Sequence, residues 1–287
     1  MISLTQKKLK EMSPDFEMRL AIEERSLEVI KHAPKVKEVV IPEVRHVAAN
    51  DLTRRELAYY LGIKTDESKG KLVAIIPVKG PMSNTWEWRG TNTEWVATQL
   101  QIAADNVNVV AIVLSMDTPG GTVNGTEKLA QVVRDSSVPV IAHTDYMCAS
   151  AGIWVASMAK EHWIASAKTT GLGSVGVIST LFSMKDYNDK QGFDFRVLRS
   201  KGSENKALAN PYEPINDEAV TEEQKLIDEM RVEMLSQIRA SRPQVPASID
   251  GKMYYGKDAI RMGLADKVGS LQDAIKRAFY LGFNQNK

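Results

Sequence analysis

The chain has 287 residues, 37 Lys and Arg against 36 Asp and Glu for a formal net charge of +1, and it is 43% hydrophobic and 25% charged. Such a composition can fill a core and excludes wholesale disorder, while the balanced charge argues against nucleic-acid binding through a broad basic face. The single cysteine excludes an intramolecular disulfide and a multi-cysteine metal site.

Residues 1–66 read as a charged helical arm. No glycine precedes Gly62, Ser13-Pro14-Asp15 has the form of a helix start, and Leu20, Ile22, Leu27 and Ile30 form a broken apolar face. Pro34 and Pro42 interrupt it, and a second helix is expected over Leu52–Leu61. The N-terminus has no long apolar stretch after its lysines, so it does not read as a secretory signal. Asp66–Lys71 reads as a linker, and the expected division is an arm at 1–66 and one folded unit at 67–287.

From Leu72 the texture changes. Leu72–Val78 and Val109–Met116 are short Val/Ile/Leu runs, far below the roughly 20 residues of a membrane-spanning helix. They read as strands buried on both faces of a parallel sheet. Helices are predicted over Thr93–Asp105 and Thr126–Arg134, with Asp117–Gly121 (DTPGG) as a tight turn between Val109–Met116 and the second helix. Val138–Thr144 is a strand and Cys148–Ala159 a helix of small residues. Further short strands are expected at Trp163–Ala165, Val175–Ile178 and Phe195–Leu198. Residues 217–241 form a long amphipathic helix carrying Val220, Ile227, Met230, Met234, Leu235 and Ile238. A strand at Lys267–Val268 and a helix from Leu271 close the chain. The alternation predicts an α/β fold with a mostly parallel sheet and crossover helices.

Three features carry chemistry. Ser150 sits where a strand gives way to a small-residue helix, so backbone N–H groups surround its hydroxyl and can stabilise an oxyanion; a helix cap has the same pattern. Gly120 and Gly121 leave their N–H groups unshielded, which suits an oxyanion hole but also an ordinary strand–turn–helix connection. A base is also needed. His32 and His46 lie in the arm, His143 lies inside a strand, and His162 is expected at the far end of the helix that Ser150 opens, so none has an obvious route to Ser150. A lysine whose pKa is lowered by burial can serve, and Lys206 stands in a loop of small and polar residues, although most lysines are solvated surface charges. Cys148 reads as a small buried residue. Trp86, Trp88 and Trp95 read as core or subunit-packing residues ahead of a substrate surface.

Four stretches in order resemble the signal peptide peptidase A family of serine proteases. Thr118-Pro119-Gly120-Gly121 is similar to its Ser-Pro-Gly-Gly turn, and Ala149-Ser150-Ala151-Gly152-Ile153-Trp154-Val155-Ala156-Ser157 to its nucleophile segment. Gly173-Ser174-Val175-Gly176-Val177 is similar to its Gly-Ser-Ile-Gly-Val strand. Gly251-Lys252-Met253-Tyr254-Tyr255-Gly256, followed by Ala259 and Gly263-Leu264-Ala265-Asp266, is similar to its C-terminal signature. The resemblance covers about residues 70–280 and implies a Clp protease/crotonase-like fold. It implies Ser150 as acyl-forming nucleophile, Lys206 as general base and then acid, and Ser174 as the lysine's hydrogen-bonding support. Gly120 or Gly121 with the N–H of Ala151, where the family has glycine, would bind the oxyanion. Lys201 is a rival base; Lys206 is preferred for its spacing to Pro211.

The family's membrane-bound members degrade signal peptides, and its soluble phage and prophage members process scaffold and capsid proteins. The opening strand at Val73–Val78 and Asn210-Pro211-Tyr212-Glu213-Pro214 resemble the phage type. The expectation is a prohead or capsid-maturation endopeptidase without cofactor or metal, acting on peptide or protein substrates. It would be cytoplasmic or within the prohead, with phage scaffold or capsid proteins as partners and neither nucleic acid nor a membrane span. Relatives form ring-shaped homo-oligomers, and in some a neighbouring subunit completes the site. The alternatives are a signal-peptide-peptidase-like cytoplasmic protease, a crotonase-like acyl-CoA enzyme, which would need a carboxylate that the loops after Gly121 and Ser150 do not supply, and a non-catalytic relative.

Overall fold

The computed structural model of the chain describes residues 20–22, 43–48, 70–85 and 90–285. Two of these stretches fall in the arm, and both are extended rather than helical: β1 (Leu20–Ile22) and β2 (Arg45–Ala48). The helix start at Ser13, the helix at Leu52–Leu61, and Trp86 and Trp88 lie outside the described residues.

The remaining elements follow in chain order: β3 (Leu72–Lys79), β4 (Met82–Ser83), β5 (Thr91–Asn92), α1 (Thr93–Asp105), β6 (Val109–Thr118), β7 (Gly120–Thr122), α2 (Thr126–Arg134) and β8 (Val140–Ala149). Then come α3 (Ala151–Ser157), β9 (Glu161–Ile164), β10 (Gly171–Gly173), α4 (Lys185–Lys190), α5 (Asp217–Ser241), β11 (Met253–Tyr255), α6 (Lys257–Arg261), β12 (Lys267–Val268) and α7 (Leu271–Asn284). The main sheet runs β11-β10-β8-β6-β3-β2, and β9 pairs with both β8 and β12. Its central pairs are parallel; β2 on β3 and β11 on β10 are antiparallel. A second sheet runs β1-β7-β4-β5.

Both faces of the main sheet are covered, as the uninterrupted apolar runs require. Ala74, Ile76 and Val78 of β3, with Ile112, Leu114 and Met116 of β6, share one core with α1 and α3, which lie on these strands, and with α2 and α5, which pack on those helices. The alternate residues Val73, Ile75, Ala111, Val113 and Ile141 face α7, which brings Ile275, Ala278 and Phe279. The helix start of α1 is fixed by Asn92, whose side chain accepts from the Trp95 N–H at 2.8 Å. Trp95 is half-buried against the larger core.

Further expectations are corrected by the fold. DTPGG is not a five-residue turn: Asp117 and Thr118 end β6, and Gly120 already begins β7. The predicted strand ending at Thr144 continues to Ala149, so the helix predicted over Cys148–Ala159 is confined to α3. Neither Val175–Ile178 nor Phe195–Leu198 is a strand; Val175 and Val177 are buried from irregular backbone, while Leu198 is exposed. His162 lies in β9, not at the end of the helix.

Candidate active site

The site is built where β6 and β8 end side by side. They pair in parallel from Ile112↔Val140 to Met116↔Thr144, then slip, so that Thr118 faces Cys148. Two steps on β6 therefore match four on β8. The surplus residues form a bulge that bends the strand and re-aims its last residues. Asp117 braces it, its carboxylate accepting from the Met147 N–H at 3.3 Å. Beyond the bulge β8 keeps a partner, β10, through Met147, Cys148 and Ala149.

Ser150 occupies the single residue between β8 and α3, with φ 52° and ψ −117°. A non-glycine residue there carries strain of about 1–3 kcal/mol, which must be held by its surroundings. They are visible: the Ser150 N–H donates to Gly173 O at 2.9 Å, and Ser150 O accepts from Trp154 N at 3.0 Å. The hydroxyl is buried and donates to Gly176 O at 3.3 Å, a long and weak bond. Ala151 is the first residue of α3, where a helix N–H lacks an intrahelical acceptor.

The turn opposite is equally constrained. Gly120 has φ 99°, and its N–H donates to Thr118 Oγ1 at 3.1 Å. A Cβ on Gly121 would lie 1.7 Å from Met82 O, so only glycine lets β7 approach β4. A Cβ on Gly152 would lie 2.4 Å from Thr118 Cγ2, so the nucleophile helix and the β6 terminus are in direct contact. Ser174, at φ 53°, follows the glycine that accepts from Ser150, and its own N–H donates to Lys252 O at 2.9 Å. The structure thus gathers Ser150, Ala151, Gly120, Gly121 and Ser174 around one strand–helix junction.

Lys206 is not part of that junction. It is exposed in the loop between α4 and α5, and among the described residues its amino group has no hydrogen-bond or ion-pair partner. The loop is nevertheless fixed. Arg199 donates from Nε to Lys206 O at 2.7 Å and from Nη2 to Ala207 O at 2.8 Å, and it pairs with Glu213 at 2.6 Å. Glu213 also accepts from Asn210 Nδ2, and the Arg199 guanidinium holds its carboxyl below the usual carboxylate range. Sequence reasoning missed the Arg199–Glu213 clamp, since the two residues lie 14 positions apart with no regular element between them. Lys201, the rival base, is exposed on the same loop.

His162 and His143 are structural. His162 is fully buried, with Nδ1 at 3.0 Å from Leu264 O and Nε2 at 2.9 Å from Thr144 Oγ1. A carbonyl can only accept, so Nδ1 carries the proton and Nε2 accepts from the threonine. Burial, with Arg242 nearby, pushes its pKa down to about 3. His143 bonds through Nε2 to Gly269 O at 3.0 Å, and burial lowers its pKa too. Cys148 is fully buried and burial pushes its thiol pKa up, which leaves a neutral, inert group. Among the described residues no cluster of His, Cys, Asp or Glu could hold a metal ion, and no helix is long and apolar enough to cross a membrane.

The sequence profile of peptidase family S49 matches residues 133–281, just over half of the chain and inclusive of Ser150, Ser174 and Lys206. The chain belongs to peptidase family S49. The doubly covered, mostly parallel sheet is the Clp protease-like fold of S49 peptidases. The chain is 26% identical over 235 residues to Protease 4 of Salmonella typhi, which takes in 78% of this chain and 37% of that protein. It is 30% identical over 249 residues to capsid assembly protease C of Escherichia phage lambda, covering 80% of this chain and 56% of the phage protein. Protease 4 of Haemophilus influenzae matches at 27% over 212 residues, 72% of this chain and 34% of that protein. This S49 chain thus spans between a third and just over half of the length of these relatives.

Proposed function

We propose that this S49 chain is a serine endopeptidase with Ser150 as nucleophile and Lys206 as base. The observation that carries the reading is the strained Ser150 junction, a buried hydroxyl at φ 52° beside a two-glycine turn. Strain of this kind is retained where the surrounding structure over-determines it, commonly at catalytic sites. The Ser150 oxygen adds to the substrate carbonyl while its proton passes to a neutral Lys206 amine. The oxyanion is held by the Ala151 N–H and by Gly120 or Gly121 of the turn, Gly120 serving only by giving up its bond to Thr118 Oγ1. The lysine returns the proton to the leaving nitrogen as the C–N bond breaks, and water then hydrolyses the ester. Ser174 supports the lysine. A crotonase-like reaction would need a carboxylate at the junction. Asp117, at the end of β6, is engaged by the Met147 N–H.

Lys206 is supplied by a neighbouring copy in a homo-oligomer. Its amino group is exposed and, among the described residues, without a partner on a clamped loop, and Phe193, Phe195 and Leu198 are exposed on the same connection. Similarity to the capsid assembly protease of phage lambda favours phage capsid or scaffold proteins as substrates and a place within the prohead.

A fluorophosphonate and intact mass test the reading. Wild type should gain one adduct on Ser150, and Ser150→Ala and Lys206→Ala none. A mixture of the two variants should regain the adduct on the Lys206→Ala chain, which keeps its serine. Labelling of Lys206→Ala alone at the wild-type rate would remove the lysine from the mechanism.

A further inference from the structure

The junction has two walls, and one buried side chain touches both. α3 brings the Ala151 N–H, and the turn after β6 brings the glycines that begin β7. An oxygen held between them needs each donor at about 2.7–3.1 Å, so the setting of the turn against α3 decides whether the site works. Thr118, the last residue of β6, is fully buried between the two. Its methyl lies against Gly152 of α3, where an added Cβ would stand 2.4 Å from Cγ2. That contact fixes the side chain and leaves the hydroxyl facing the turn.

The hydroxyl places both its acceptor and its donor on one residue. Oγ1 accepts from the Gly120 N–H at 3.1 Å, and its own hydrogen points to Gly120 O at 3.4 Å, a long and weak bond. A threonine oxygen that accepts from the N–H two residues on closes a small turn of its own. Pro119 stands in the middle of it, with φ fixed by its ring and no N–H to compete. Gly120 leaves the turn at φ 99°, a conformation that glycine tolerates. The Pro119–Gly120 peptide plane is therefore set by Thr118, and that plane determines where the next one, carrying the Gly121 N–H, is aimed.

We propose that Thr118 is a positioning residue for the oxyanion site: its hydroxyl holds the Pro119–Gly120 peptide and thereby aims the Gly121 N–H at the oxygen that Ser150 generates. The inference rests on the protease reading above. Gly120 keeps its bond to Thr118 throughout, so the choice between the two glycines falls on Gly121. Thr118 touches neither substrate nor reacting atom and acts through the turn alone.

Fluorophosphonate labelling of Ser150 tests this, because the phosphoryl oxygen develops charge where the oxyanion would lie. Thr118→Val keeps a methyl against α3 and removes the hydroxyl, and it should label more slowly than wild type by about tenfold or more. Thr118→Ser keeps the hydroxyl and removes the methyl; it should lose stability in urea yet label at close to the wild-type rate. A merely structural role would make labelling follow stability, whereas positioning makes it follow the hydroxyl. The phosphorus NMR resonance of the bound phosphonate gives a second reading, since it responds to hydrogen bonds at the phosphoryl oxygen. It should move in Thr118→Val and stay in place in Thr118→Ser. If the valine chain does not fold, Thr118→Ala, which brings no extra methyl, takes its place. Thr118→Val that labels at the wild-type rate or faster, or Thr118→Ser slowed as much as Thr118→Val, overturns the inference and leaves the protease standing. A wild type that does not label at Ser150 overturns both.

Discussion

Replacing Gly152 by alanine sets two energies of opposite sign against each other. Gly152 lies inside α3, where alanine is favoured by about 1 kcal/mol on helix propensity. The added Cβ, however, would stand 2.4 Å from Thr118 Cγ2 and 3.3 Å from Cys148 Sγ. Carbon atoms sit at about 3.5 Å or more, so α3 and the β6 terminus must separate by about 1 Å. Overpacking of this kind costs about 1–3 kcal/mol, so the clash outweighs the propensity. The same displacement moves Ser150 away from the Gly120–Gly121 turn, and a 1 Å misplacement of reacting groups costs on the order of 100-fold in rate. Urea unfolding and the rate of fluorophosphonate labelling read the two effects separately. Thr118→Ser deletes the clashing methyl and keeps the hydroxyl that accepts from Gly120, so the double variant should recover most of both losses. A Gly152→Ala chain as stable and as fast as wild type, or one that Thr118→Ser fails to rescue, would refute the contact between the nucleophile helix and the turn.

Other consequences are as direct. His162 is neutral when folded, with a pKa near 3, and ordinary when unfolded. The unfolded state therefore binds more protons between about pH 6.5 and 3, and stability should fall as pH drops through that window, by up to about 1.4 kcal/mol per pH unit. Chemical unfolding against pH should show this slope, and His162→Gln should flatten it. Trp154 is buried and donates to Gln237 Oε1 at 3.0 Å, tying α3 to α5, so Trp154→Ala should lose about 3–5 kcal/mol in urea unfolding. Arg199→Ala frees the carbonyls of Lys206 and Ala207, so labelling should slow by about tenfold or more while the unfolding midpoint hardly moves. Cys148 should resist iodoacetamide in the native chain and react once it is unfolded in urea.

The parts of the fold legible in the sequence were those whose burial is simple. β3 and β6 are covered on both faces, and their unbroken apolar runs say so. α1 and α2 begin and end where the periodicity predicts, the first with Asn92 as its cap. The end of β8 was not legible. Asp145 and Tyr146 face outward from a bulge, and Cys148 and Ala149 are small enough for either helix or strand, so only the pairing with β10 decides. Phe195–Leu198 has strand composition without a strand's partner. In the candidate site, the junction residues sit on contiguous motifs and could be found one by one. The placing of Lys206 away from Ser150 within the chain could not, because it follows from the Arg199–Glu213 clamp and not from local propensity.

The second core has an implication for biosynthesis. Val73, Ile75, Ala111, Val113 and Ile141 are covered by α7, the last of the described elements to be made. Their strands leave the ribosome well before it. At 5–20 residues per second the interval between β3 and α7 is on the order of 10 s or longer. Throughout it one whole face of a nascent sheet stands bare, rich in β-branched side chains and ready to adhere to its neighbours. Yield in the cell should therefore depend on trigger-factor-like holdases during translation more than the stability of the finished molecule would suggest.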